Sequence, residues 1–97
     1  MSLRGNPVEE RATLPDGREA VVRIGIADDP YVDRRDHDTV SLEVLVDGTT
    51  AAALNTLIEP EQVSEALAVA REIVARFESG ELEPTAGAVE PYALERR

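Results

Sequence analysis

The chain has 97 residues and a formal net charge of −10, set by 20 acids against 10 bases that are all arginine. Such a field repels a phosphate backbone, and nucleic-acid binding normally shows as a basic patch, so no nucleic-acid partner is expected. Cysteine is absent, which rules out disulfides and thiolate metal sites; no run nears the roughly 18 apolar residues of a membrane span, so no membrane partner is expected.

The length suits one small α+β domain, taken as residues 1–80, followed by an irregular tail at 81–97. Only Tyr31, Tyr92 and Phe77 are aromatic, so the core has to be built from Val, Leu, Ile and Ala. No charged-then-apolar leader is visible, and a cytoplasmic location is the default expectation. The acid excess without lysine fits two properties of a host. A GC-rich genome replaces Lys with Arg, and a salt-adapted cytosol favours acidic surfaces that stay soluble when charges are screened.

In chain order, Met1 to Asn6 reads as a loose terminus. Val8, Ala12 and Leu14 then fall at even positions with Glu9, Arg11 and Thr13 between them, a strand alternation. Leu14-Pro15-Asp16-Gly17 has turn chemistry: proline presets φ, aspartate bonds nearby backbone, and glycine accepts positive φ. Ala20, Val22, Ile24 and Ile26 alternate again, which predicts a hairpin.

The stretch DDPYVDRRDHD, Asp28 to Asp38, packs five aspartates, two arginines and the only histidine into eleven residues. Beyond it, Val40, Leu42, Val44 and Val46 line one side of a strand whose other side carries Ser41, Glu43 and Leu45. Asp47-Gly48 is the two-residue signature of a type I′ hairpin turn. Thr49 to Leu57 should pair back, with Ala52, Leu54 and Ile58 inward.

Glu59-Pro60-Glu61-Gln62 opens a helix, with proline at a first-turn position and Gln62 placed to close a capping-box contact. Val63, Ala66, Leu67, Ala70, Ile73, Val74 and Phe77 recur at helical steps and form an apolar stripe. Ser79-Gly80 stops it. Pro84, Gly87 and Pro91 argue for an irregular tail, with Val89, Tyr92 and Leu94 as anchoring points. The expected architecture is a four-stranded antiparallel β-meander with one C-terminal helix packed on one face, in the order ββββα.

Chemistry is harder to place. A metal site would use Asp33, Asp36, His37 and Asp38, since carboxylate and imidazole suit Mg²⁺, Mn²⁺ or Zn²⁺. The spacing matches neither a calcium loop nor H-E-x-x-H, and Arg34 and Arg35 add positive charge there. A solvated connection is the expected role of this loop. No serine sits in a nucleophile elbow and the glycines are scattered, so no catalytic residue and no cofactor is assigned, and a non-catalytic role is favoured.

One stretch departs from the background. Thr49 to Ile58 has neither charge nor proline across ten residues, in a chain that is 31% charged. In a meander it forms an edge strand, and edges are usually guarded by charge, proline or a cover. Its outward positions are Ala51, Ala53, Asn55 and Leu57, extended by the outward Val21 and Leu45. The expectation is a small acidic domain acting through protein association, as a homodimer or with another protein partner. The alternative is a ligand- or metal-binding module, or a small enzyme, that uses the Asp28–Asp38 loop.

Overall fold

A computed structural model describes residues 3, 6–26 and 39–94. Strands β1 (Val8–Thr13), β2 (Glu19–Gly25), β3 (Ser41–Val46) and β4 (Thr49–Asn55) precede helices α1 (Val63–Ser79) and α2 (Ala86–Leu94). The strands form one antiparallel sheet in the order β1-β2-β3-β4, so β1 and β4 are its edges.

The turns form for the reasons their residues suggest. Leu14 C=O accepts from Gly17 N–H at 2.9 Å, and Gly17 takes a φ of 93° that only glycine adopts freely. The Asp16 carboxylate holds the turn from inside, accepting from Arg18 N–H at 3.0 Å and Arg18 Nε at 2.7 Å. Those bonds, the backbone one foremost, lower the Asp16 pKa. Asp47 and Gly48 have φ values of 49° and 82°, the two positive angles a type I′ turn demands. That turn is tied to β2, because Glu19 N–H donates to Asp47 Oδ1 at 3.1 Å and Asp47 N–H donates to Glu19 C=O at 2.9 Å.

Alternation decides what is buried. Ala12, Leu14, Ala20, Val22, Ile24, Val40, Leu42, Val44 and Ala52 point to the core, where α1 and α2 supply Ala66, Val69, Ala70, Ile73, Phe77, Val89 and Ala93. Helix α1 lies over β1 and β2, and α2 packs against β4. Gly25, at the end of β2, is needed for close approach. A Cβ there would stand 2.7 Å from Pro7 Cβ, too near to coexist.

Beyond Asn55 the β3–β4 ladder continues without regular strand geometry. Thr56 N–H donates to Val40 C=O at 3.0 Å, and Val40 N–H donates to Ile58 C=O at 2.9 Å. Buried Thr56 adds its hydroxyl, which donates to Val40 C=O at 2.7 Å and accepts from Ile58 N–H at 3.1 Å. The chain then turns into α1, with Glu59 N–H donating to Gln62 Oε1 at 2.7 Å; Gln62 stands at the N-cap without a side-chain cap bond, and the helix starts at Val63. At the other end Gly80, with φ at 80°, donates to Phe77 C=O while Glu81 N–H reaches Arg76 C=O, a Schellman ending.

Three expectations need correction. The fold has two helices rather than one, because the expected irregular tail is helical over Ala86–Leu94. Pro91 and Gly87 are weak helix formers, but Val89 and Ala93 lie four apart on one face and are both fully buried. Tertiary packing decides such short helices. Second, Leu3 does not belong to a loose terminus: its side chain is fully buried and its N–H donates to Pro60 C=O at 2.7 Å. Third, Leu67 is only half-buried, and the core position belongs to Val69. Apolar residues wrap widely enough around α1 that either stripe obeys the 3.6-residue period; the sheet's position selects the one centred on Ala66, Val69, Ala70, Ile73 and Phe77.

Candidate functional site

The sheet face away from the helices is ordered into rows by the strand register. Glu9, Arg23, Glu43 and Ala53 align across the four strands, and Arg11, Val21, Leu45 and Thr50 form the next row. Its β1–β2 half is ionic. Arg23 Nε lies 3.3 Å from Glu9 Oε1, and Arg11 Nη1 lies 2.6 Å from Glu19 Oε1.

The outward side of β4 itself is uncharged, although Glu43 of β3 faces the same side opposite Ala53. Ala51, Ala53 and Asn55 are exposed, while Val21 and Leu45 beside them are half-buried. A register shift between Val44 and Leu45 places Val44 opposite Ala52 and Leu45 opposite Thr50. Ala51 is therefore the extra residue of a β-bulge, so Thr50 and Ala51 both lie on the exposed side.

The two edges are treated differently. β1 carries Glu9, Glu10 and Arg11, and Glu10 turns towards the helices, where Arg71 Nε holds it at 3.1 Å. Charges of this kind keep another strand from adding to an edge. β4 has none. Helix α2 buries Val89 and Ala93 against the core side of the sheet, yet Ala51, Ala53 and Asn55 remain exposed. The C-terminal segment thus covers β4 from within and leaves its outward side open.

Leu57 is 42% exposed and Leu94 is 50% exposed, the large hydrophobic side chains that stand out to solvent among the described residues. They meet at one corner, because Leu57 N–H donates to Ala93 C=O at 3.2 Å and brings the end of α2 beside the chain leaving β4. Leu57 was expected on this surface. Leu94 was expected as an anchor, and the structure turns it outward instead. The signal was present in the spacing, since Val89 and Ala93 share a helical face and Leu94 falls one step off it.

Chemistry-bearing groups are not gathered elsewhere among the described residues. A cleft of about 180 Å³ lies between the Leu14–Arg18 turn and the segment Gly80–Pro84, but Asp16 and Arg18 in its wall are bonded to each other. An open dish of about 450 Å³ at the start of α1 is lined by Glu61, Gln62, Val63, Ser64 and Glu65. No three His, Cys, Asp or Glu residues among those described could share a metal ion. Asp33, Asp36, His37 and Asp38, with the rest of the Asp28–Asp38 loop, lie outside the described residues.

Each described arginine is already engaged within the chain. Arg11 meets Glu19, Arg18 meets Asp16, Arg23 meets Glu9 and Arg71 meets Glu10. Arg76 meets both Glu72 and Glu81, and its guanidinium lies 5.8 Å from the Tyr92 ring centroid, linking α1 to α2. No helix among the described residues is long and apolar enough to cross a membrane. Compared with known proteins, the chain matches no family model, no curated sequence and no solved structure at a significant level.

Proposed function

We propose that this chain is a non-catalytic domain that works through protein association, as a homodimer joined on the outward side of β4. The observation that carries the reading is the exposure of an edge strand without a single charge, Thr49 to Asn55, in a chain with a net charge of −10. The interface residues are Val21, Leu45, Ala51, Ala53, Asn55 and Leu57, with Leu94 adding apolar surface at the corner. Small side chains at Ala51 and Ala53 let a second backbone approach closely, while Leu57 and Leu94 are the bulky groups such contact removes from water.

Light scattering on wild type and Ala53→Lys tests this. Ala53 is exposed in the single chain, so lysine there leaves the fold within about 0.5 kcal/mol. In a dimer it places a long charged side chain inside a dry contact, where an unpaired charge is heavily penalised. The expected result is a wild-type dimer and a folded, monomeric variant. A wild-type monomer at high micromolar concentration ends the proposal.

A further inference from the structure

We infer that helix α2 is a releasable strap, which lifts off as one unit while the strands and α1 stay folded. Its release uncovers the apolar seat beside β4 that Val89 and Ala93 fill. This opening requires no second copy, and it acts on the side of β4 that faces the core rather than on the outward side.

The helix is held by little. Val89 and Ala93 are its buried side chains, against five in α1. Its backbone is also weakened twice in the same turn. Pro91 lies beyond the first turn, so it has no N–H for the Gly87 C=O four residues back, and its ring crowds that carbonyl. Gly87 adds the entropy cost of a helical glycine. Nothing in the packing asks for that glycine: its φ is not positive, and a Cβ built there meets no atom within 4 Å. Pro91 is exposed as well. The two residues that weaken α2 thus serve neither a positive-φ turn nor a close approach, and their effect is on how readily the helix leaves.

The connections at its ends suit a strap. Glu81 N–H and Leu82 N–H both donate to Arg76 C=O, at 3.0 and 3.2 Å, which fixes the chain to α1 as far as Leu82. Past Pro84 the bonds are internal to the moving piece: Ala88 N–H donates to Thr85 Oγ1 at 3.3 Å and Val89 N–H to Thr85 C=O at 3.1 Å. The hinge therefore falls at residues 83–84. At the far end Leu57 N–H donates to Ala93 C=O at 3.2 Å, and the Tyr92 ring centroid lies 5.8 Å from the Arg76 guanidinium. Glu72 and Glu81 hold Arg76 independently of α2, so it stays positioned for the ring to return. Pieces with few buried contacts open ahead of the core, and they do so cooperatively.

Native-state hydrogen exchange of the full chain, followed by NMR at rising sub-denaturing urea, reads the opening. The amides of Val89, Tyr92 and Ala93, with that of Leu57 from outside the helix, should share one protection factor and one urea slope. That protection should lie about tenfold or more below that of Ala70 and Ile73 in α1, with a shallower slope, because less surface is exposed. Leu57 is the decisive reporter, since its N–H loses its acceptor only when the strap lifts. Thr56 N–H and Ile58 N–H, bonded to Val40 C=O and Thr56 Oγ1, should stay protected with the sheet. Gly87→Ala should raise the shared protection by about fivefold, and adding Pro91→Ala should raise it by about tenfold or more again. Protection and urea slope equal to those of α1 overturn the inference, because the helix then leaves only in global unfolding. Graded protection along α2 with no urea slope, and with Leu57 apart from it, also overturns it, since that is end fraying. Protection unchanged in both variants overturns it as well, because Gly87 and Pro91 would then not set the release.

Discussion

Replacing Thr56 by valine tests whether one buried hydroxyl ties the end of the sheet to the start of α1. Thr56 is 4% exposed and is the one buried polar side chain among the described residues. Valine keeps the shape, so packing changes little, but two bonds disappear: the 2.7 Å donation to Val40 C=O and the 3.1 Å acceptance from Ile58 N–H. Their consequences differ. Val40 C=O still accepts from Thr56 N–H at 3.0 Å, so it keeps a partner. Ile58 N–H loses the acceptor it has, beside a side chain only 2% exposed.

A lost hydrogen bond costs about 1 kcal/mol net, and a buried donor left unsatisfied costs about 1–3 kcal/mol. The added methyl returns about 0.8 kcal/mol of burial. The balance is a loss of roughly 1–3 kcal/mol, and for a domain of this size each kcal/mol lowers Tm by about 4–8 °C. Thermal and urea unfolding of wild type, Thr56→Val and Thr56→Ser provide the assay. Serine keeps the hydroxyl and loses a methyl, so it should be the milder change. A valine variant as stable as wild type, or more stable than the serine variant, would refute the reasoning and show that water or backbone shift satisfies Ile58 N–H.

Two further perturbations probe other parts of the structure. Val69→Ala should destabilise by about 1–3 kcal/mol and Leu67→Ala by less, although leucine loses more atoms, because only Val69 is fully buried; chemical denaturation giving the reverse order would mean that α1 is rotated. The lowered pKa of Asp16 means that its ionised form stabilises the fold above the usual aspartate range, and that this support is lost as pH falls through the lowered value. Asp16→Asn should therefore melt below wild type at pH 7 and approach it at pH 3, and a Tm difference that stays constant with pH would show that charge plays no part in that turn.

Local chemistry alone accounts for the four strands, both hairpin turns and the stop of α1 at Gly80, whereas its start lies at Val63, later than Pro60 and Gln62 suggest. The pattern is legible because alternation has a period of two, and because Asp47-Gly48 and Ser79-Gly80 satisfy backbone angles that few other residues adopt. The uncharged β4 surface was legible for a related reason: composition reports exposure when a strand's neighbours are already known. The sequence by itself therefore determined the order of the four strands and α1 and the inward residues along β1, β2 and β3, but neither α2 nor the bulge at Ala51. Only the tertiary structure decided the rest. Whether Leu67 or Val69 enters the core depends on where the sheet meets a helix whose apolar arc is wide. Leu3 lacks a local pattern, and it is buried because Pro60 accepts its N–H from far along the chain. Helix α2 contains a glycine and a proline that disfavour it, and it forms because Val89 and Ala93 gain burial against the sheet. In each case the deciding free energy comes from contacts between residues distant in sequence, and local propensity does not encode them.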